Sequence, residues 1–144
     1  MTSGEGQGFV GPEGAYEISL PLEWEASYDE EGIPEFRDPR KNLGPLRVKT
    51  YLLKGPSAAS LDSPDFLKES YRKMPGSDWV RLGAKNAIHS VDRSSSAEFH
   101  HWIIAEGPNV LLATYSLSDT AAPGQDRSNE LALVVSILES LRFR

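Results

Sequence analysis

Three histidines and no cysteine limit the chemistry open to this chain. His100 and His101 are adjacent, inside the run Glu98-Phe-His-His-Trp-Ile-Ile-Ala-Glu106. The run is rich in β-formers, and side chains alternate faces along a strand, so the two imidazoles point opposite ways and cannot ligate one metal without distortion. Glu98 and His100 share a face and offer a carboxylate–imidazole pair. His89 stands alone elsewhere, and a zinc site with three protein ligands needs a third donor that no spacing announces. These residues therefore read as sheet histidines, with no metal and no cofactor.

Other polar clusters point to turns before they point to chemistry. Ser94, Ser95 and Ser96 lack the Gly-x-Ser-x-Gly elbow of a nucleophile, and no spacing ties a histidine and an acid to them. Gly4, Gly6 and Gly8 alternate but meet no helix start, so a phosphate loop is not supported. Asp29, Glu30 and Glu31 lack the alternating oxygens and spaced glycine of a calcium loop. Arg37, Arg40 and Lys41 follow as a small basic loop. Side by side, the acidic and basic stretches would form a bipolar patch suited to docking a protein of mixed charge. Trp24, after the Pro21 bend, fits a core position first and is otherwise the candidate apolar anchor, and Phe36 is the candidate exposed aromatic. The candidate binding residues are thus Trp24, Asp29, Glu30, Glu31, Phe36, Arg37, Arg40 and Lys41, with no catalytic residue named.

The elements that position these groups follow from periodicity. Glu98–Leu117 reads as a hairpin, two β-rich runs around the break Glu106-Gly-Pro-Asn109. Both of its faces are apolar, which places it mid-sheet between two covering layers. Before it, Tyr16–Leu20, Trp24–Tyr28, Ile33–Arg37, Leu46–Leu52, Trp79–Leu82 and Ala87–Asp92 read as strands. Pro34 fits an edge or a strand start. Ser63–Met74 has the cap, the early proline and the closing Pro75-Gly76 of a helix. A second helix is expected over Ser128–Ser140, with Leu131, Val134, Val135, Leu138 and Leu141 on one stripe, returning into a short strand at Leu141–Phe143. Ser118–Arg127 is expected as a loop, and residues 1–14, with five glycines, as a flexible lead-in to a domain over residues 15–144.

Composition excludes some functions. At 144 residues one compact domain is expected, able to bury about 68–70% of its unfolded surface without a metal or disulfide staple. A net charge of −6 argues against nucleic acid as a partner, since no basic footprint is present. No apolar run reaches the length of a membrane span. The polar start, Met1–Gly8, has neither the basic nor the apolar region of a secretory signal and reads as cytoplasmic.

The order of elements resembles the PsbP-like fold superfamily. Tyr16-Glu-Ile-Ser-Leu-Pro-Leu-Glu-Trp24 is similar to the family's opening strand running into a Pro-x-x-Trp bend. Phe36-Arg-Asp-Pro39 with Gly44-Pro-Leu-Arg-Val48 resembles its loop into the next strand, and Ile137-Leu-Glu-Ser-Leu-Arg-Phe143 its closing helix-to-strand signature. The resemblance implies an antiparallel sheet with helices on both sides, no shared active site, and members that mostly bind proteins.

The expected fold class is α+β, a single-domain α/β/α sandwich with a central antiparallel sheet of about six strands and helices on both faces. The expected function is non-catalytic protein binding by a bacterial, cytosolic protein of the immunity or chaperone type. The alternative is a small-molecule or lipid carrier with an apolar pocket between sheet and helix. A hydrolase using His100 or His101 is the third reading.

Overall fold

The computed structural model describes residues 6–40, 45–52, 72–74, 76–93, 97–106, 109–118 and 124–143. Ten strands form two antiparallel sheets. The smaller has the order β1-β2-β10, from β1 (Gly6–Val10), β2 (Tyr16–Pro21) and β10 (Arg142–Phe143). The larger has the order β3-β4-β5-β9-β8-β7-β6. Its strands are β3 (Glu25–Tyr28), β4 (Pro34–Arg37), β5 (Leu46–Leu52), β6 (Asp78–Leu82), β7 (Lys85–Arg93), β8 (Ala97–Glu106) and β9 (Asn109–Ser118). The hairpin β8–β9 is mid-sheet as its two apolar faces require, with β7 on one side and β5 on the other.

One face of the large sheet carries the main core. Phe36, Leu46, Val48, Trp102, Ile104, Leu111, Ala113 and Tyr115 from that face meet Tyr16, Ile18 and Leu20 of β2. They also meet Val134, Ile137, Leu138 and Leu141, on and just after the helix α1 (Gly124–Glu139). The covering layer is therefore half sheet and half helix. Ser140 joins its halves: its hydroxyl donates to the Ile137 carbonyl at 2.6 Å and accepts the Ser19 amide at 2.9 Å. The opposite face of the large sheet holds a smaller buried cluster, Ile88, Ala105 and Val110, with Ile103 packed against it.

This corrects the α/β/α sandwich with helices on both faces. Among the described residues α1 is the one complete α-helix, and sheets of three and seven strands make up most of the rest. Apolar periodicity says that a face must be buried but not which element buries it. Arg72 and Lys73 are helical, and the remainder of the expected 63–74 helix lies outside the described residues. The flexible lead-in is corrected too: Gly6–Val10 pairs with β2 from Glu17 to Pro21 as β1. Glycines at alternate positions hide that strand, because they supply no apolar period. Helix α1 begins at Gly124, four positions before Ser128, which shortens the expected 118–127 loop. The closing strand is present, with Phe143 opposite Tyr16. Pro34 sits at a strand start, within the sheet, between β3 and β5.

Candidate functional site

Cross-strand register places the histidines. His89 lies opposite Trp102, and Val91 opposite His100, so the inner face of β7–β8 brings His89, His100 and Trp102 together. His100 Nε2 is 2.7 Å from Glu98 Oε1, and His100 Nδ1 is 2.9 Å from His89 Nε2. The two imidazole rings are nearly parallel and edge to edge with centroids 5.1 Å apart, and the indole of Trp102 stacks on His89 at 4.9 Å. Arg93 continues the chain at the far end, with Nε 3.7 Å from Glu98 Oε2.

The hydrogen bonds fix one set of neutral tautomers. His100 donates from Nε2 to the carboxylate, leaving Nδ1 to accept from His89 Nε2. Burial holds both histidines below their ordinary range; for His100 the Glu98 carboxylate opposes this but does not overcome it. At 3% exposure, His100 has no open approach for a substrate. The Glu98–His100 pair expected from spacing is present, but it is a wall of the core. Among the described residues no three His, Cys, Asp or Glu are grouped to hold a metal.

His101 faces the other way, as strand alternation demands. Its Nε2 is 3.1 Å from Asp92 Oδ2, beside an open pocket of about 390 Å³ lined by Met74, Ser90, Asp92, His101 and Leu112 among others. Ser94, Ser95 and Ser96 lie outside the described residues.

The acidic turn is a built structure. Asp29 Oδ1 accepts the amides of Glu31 at 2.8 Å and Ile33 at 2.9 Å, and Gly32 takes the positive φ of 81° that closes the turn. The Ile33 amide is the main reason the Asp29 carboxyl titrates below its usual range, with Arg47, ion-paired through Asp29 Oδ2, adding to it. Arg47 Nε also reaches Glu35 at 3.4 Å, and Glu35 reaches Arg37 at 3.9 Å. Glu30 and Glu31 are exposed.

Arg40 belongs to a separate unit. It binds the buried Asp38 through its backbone amide, Nε and Nη2 at 2.9, 3.0 and 2.9 Å, and its Nη2 lies 3.5 Å from Glu23. The expected exposure of Phe36 is corrected, and for Trp24 the core position that the sequence favoured is the one found. Phe36 is fully buried and Trp24 is 2% exposed, because register turns Phe36 toward Leu46 and the inner face. Trp24 is fixed at the bend, its carbonyl accepting from Gln7 Nε2 at 2.6 Å. Lys41 lies outside the described residues.

Sequence reasoning missed two buried polar groups and one polar contact. Glu130, 1% exposed, faces Tyr115, whose hydroxyl is pushed well up by burial and then by the Glu130 charge. Its place four residues before Val134, on the apolar stripe, was the available signal. Lys85 donates to the Glu139 carbonyl at 3.2 Å, closing the C-terminal end of α1. The third is the link between His89 and His100, which only the β7–β8 register reveals.

No protein-family model matches this chain, and no curated protein matches it. Solved structures do. A protein from Bacteroides thetaiotaomicron VPI-5482, whose crystal structure was determined at 1.50 Å, superposes with a TM-score of 0.77 at 16% identity. The match covers 96% of this chain and 48% of that one, so this chain spans about half its length. At that identity the likeness is one of fold. The solution structure of cyanobacterial PsbP (CyanoP) from Synechocystis sp. PCC 6803 matches with a TM-score of 0.42 at 16% identity, covering 100% of this chain and 98% of that one. No helix among the described residues is long and apolar enough to cross a membrane.

Proposed function

We infer that this domain is a non-catalytic protein-binding module, of the immunity or chaperone type. One contrast carries the reading. The imidazole that would serve catalysis beside Glu98 is buried, with His100 at 3% exposure. At the β3–β5 end, by contrast, exposed charges of both signs are held on a rigid frame of turn and ion pairs. Preset charges favour fast, selective association with a complementary partner.

The test is affinity capture from the source organism, followed by kinetics with the purified partner. Arg37→Glu combined with Glu30→Lys should slow association severalfold and change its salt dependence, with little change in melting temperature. Arg40 is unsuitable for this purpose, since removing it strips buried Asp38 of its bidentate cation. A captured partner whose kinetics ignore these changes would remove the surface from the reading, and failure to capture any partner would remove the function.

A second reading, a small-molecule carrier, is favoured by the pocket beside His101 and Asp92. Native mass spectrometry of freshly purified protein would then show a bound ligand that His101→Ala releases.

A further inference from the structure

Strand β3 ends the seven-stranded sheet, and all four of its residues, Glu25 to Tyr28, are exposed. Its hydrogen-bond parity can be read from the adjoining turn. The Asp29 amide donates to the Ile33 carbonyl, so residues 29 and 33 form a hydrogen-bonded pair in the antiparallel register. Pairs alternate in an antiparallel ladder. Ser27 with Glu35 and Glu25 with Arg37 are therefore bonded pairs, whereas Tyr28 with Pro34 and Ala26 with Phe36 are not. Pro34, which has no amide hydrogen, agrees with this parity. It follows that Ala26 and Tyr28 aim their N–H and C=O groups away from β4, out of the sheet edge.

Trp24 has the same parity, and its carbonyl is already taken by Gln7 Nε2. The open edge begins at Ala26.

We propose that the β3 edge accepts an extended basic segment of a partner protein as an eighth strand of the sheet, with its backbone on Ala26 and Tyr28. The proposal rests on the protein-binding reading and gives it a mode. Register sets the chemistry of the segment. Ala26 and Tyr28 share the inner face with Phe36 and Pro34, and Tyr28 is 58% exposed beside Phe9, with ring centroids 6.4 Å apart. Residues of the added strand on that face are apolar or aromatic. Glu25 and Ser27 lie on the other face, and Glu25, Glu30 and Glu31 make no ion pair among the described residues. Residues of the added strand there are Lys or Arg. A second copy of β3 is the wrong occupant, since it would bring another Glu25 to the same acidic edge. Charge on an edge strand ordinarily blocks indiscriminate pairing, and here it selects which strand is admitted.

The probe is a short capped peptide alternating lysine with valine, titrated into the full chain and followed by amide exchange. Amides of Ala26 and Tyr28 should slow while those of Glu25 and Ser27, already bonded to β4, stay as they were. The same peptide with glutamate for lysine should bind roughly tenfold more weakly or not at all, and Glu25→Lys should reverse that preference. Ala26→Pro removes one outward donor and no bond to β4, and it should abolish protection at the remaining outward amide, Tyr28. The proposal is overturned if the lysine peptide protects neither amide, if the glutamate peptide binds equally well, or if β3 pairs with itself as concentration rises. A captured partner that responds to Arg37→Glu but leaves Ala26 and Tyr28 unprotected would overturn the edge mode alone. The binding reading would stand.

Discussion

His89 Nε2 and His100 Nδ1 meet at 2.9 Å, their rings nearly parallel and edge to edge, beside the core. The contact needs one donor and one acceptor, so the pair tolerates one added proton by shifting tautomer. A second proton sets two N–H groups, and two positive charges, against each other. Asp78, opposite His89 on β6, favours its charging, while His101 and Arg93 oppose charge on the pair.

Stability should therefore fall as the solution is acidified below the ordinary histidine range. Both pKa values are lower folded than the 6.5 of a free side chain. Below that value the unfolded chain binds protons that the folded chain refuses, so the loss grows as pH falls toward the folded values and levels off beneath them. Urea melts from pH 8 to pH 5 should show this slope, and His89→Gln should flatten it. An unchanged slope would show that the pair does not govern it.

The alkaline side has its own expectation. Tyr16 and Tyr115 are both pushed up, chiefly by burial. Above about pH 10 the unfolded chain ionises them and the folded chain does not, so stability falls as pH rises. Ultraviolet titration should find both phenols silent until the protein unfolds. Tyr115→Phe should remove one late-titrating group.

Substitutions in α1 should separate buried positions from flanking ones. Ile137 and Leu138 are buried, and either one changed to Ala should cost about 2–5 kcal/mol. Val135 is only partly buried, and Val135→Ala should cost less than either. Equal losses at all three positions by urea denaturation would contradict this packing.

A methyl group is tolerated at one glycine of the N-terminal segment and not at another. A Cβ at Gly11 would stand 2.2 Å from the Tyr16 ring, which is core. Gly11→Ala should cost about 1–3 kcal/mol, as overpacking does. At Gly8 nothing lies within 4 Å, so Gly8→Ala should be near neutral. Thermal melts of the two variants give the comparison.

Much of the sheet was legible in the sequence because its strands are periodic. Tyr16, Ile18 and Leu20 face the core as their alternation requires, and so do Leu46 and Val48. The opposite facing of His100 and His101 was legible for the same reason. What was not legible is pairing between segments distant in sequence. No local pattern brings His89 to His100 or turns Phe36 inward, because both depend on register set by neighbouring strands. Glycine-rich β1 left no period to read. Glu130 stands on the apolar stripe of α1, four residues before Val134, but a carboxylate there hides an interior position that the structure buries.

The pairing of β10 with β2 bears on how fast the chain reaches its native state. Arg142 bonds Glu17 across 125 positions of sequence, and Ser140 bonds Ser19 across 121. Contacts of such separation pay the entropy of closing a long loop before they return any stabilisation. The hairpins β6–β7 and β8–β9 are local and can form early. The layer that covers Tyr115 and Trp102 must wait for the two distant segments to meet. Until they do, the growing chain carries an uncovered apolar sheet face, which is the interval in which a molecule of this topology is most open to aggregation.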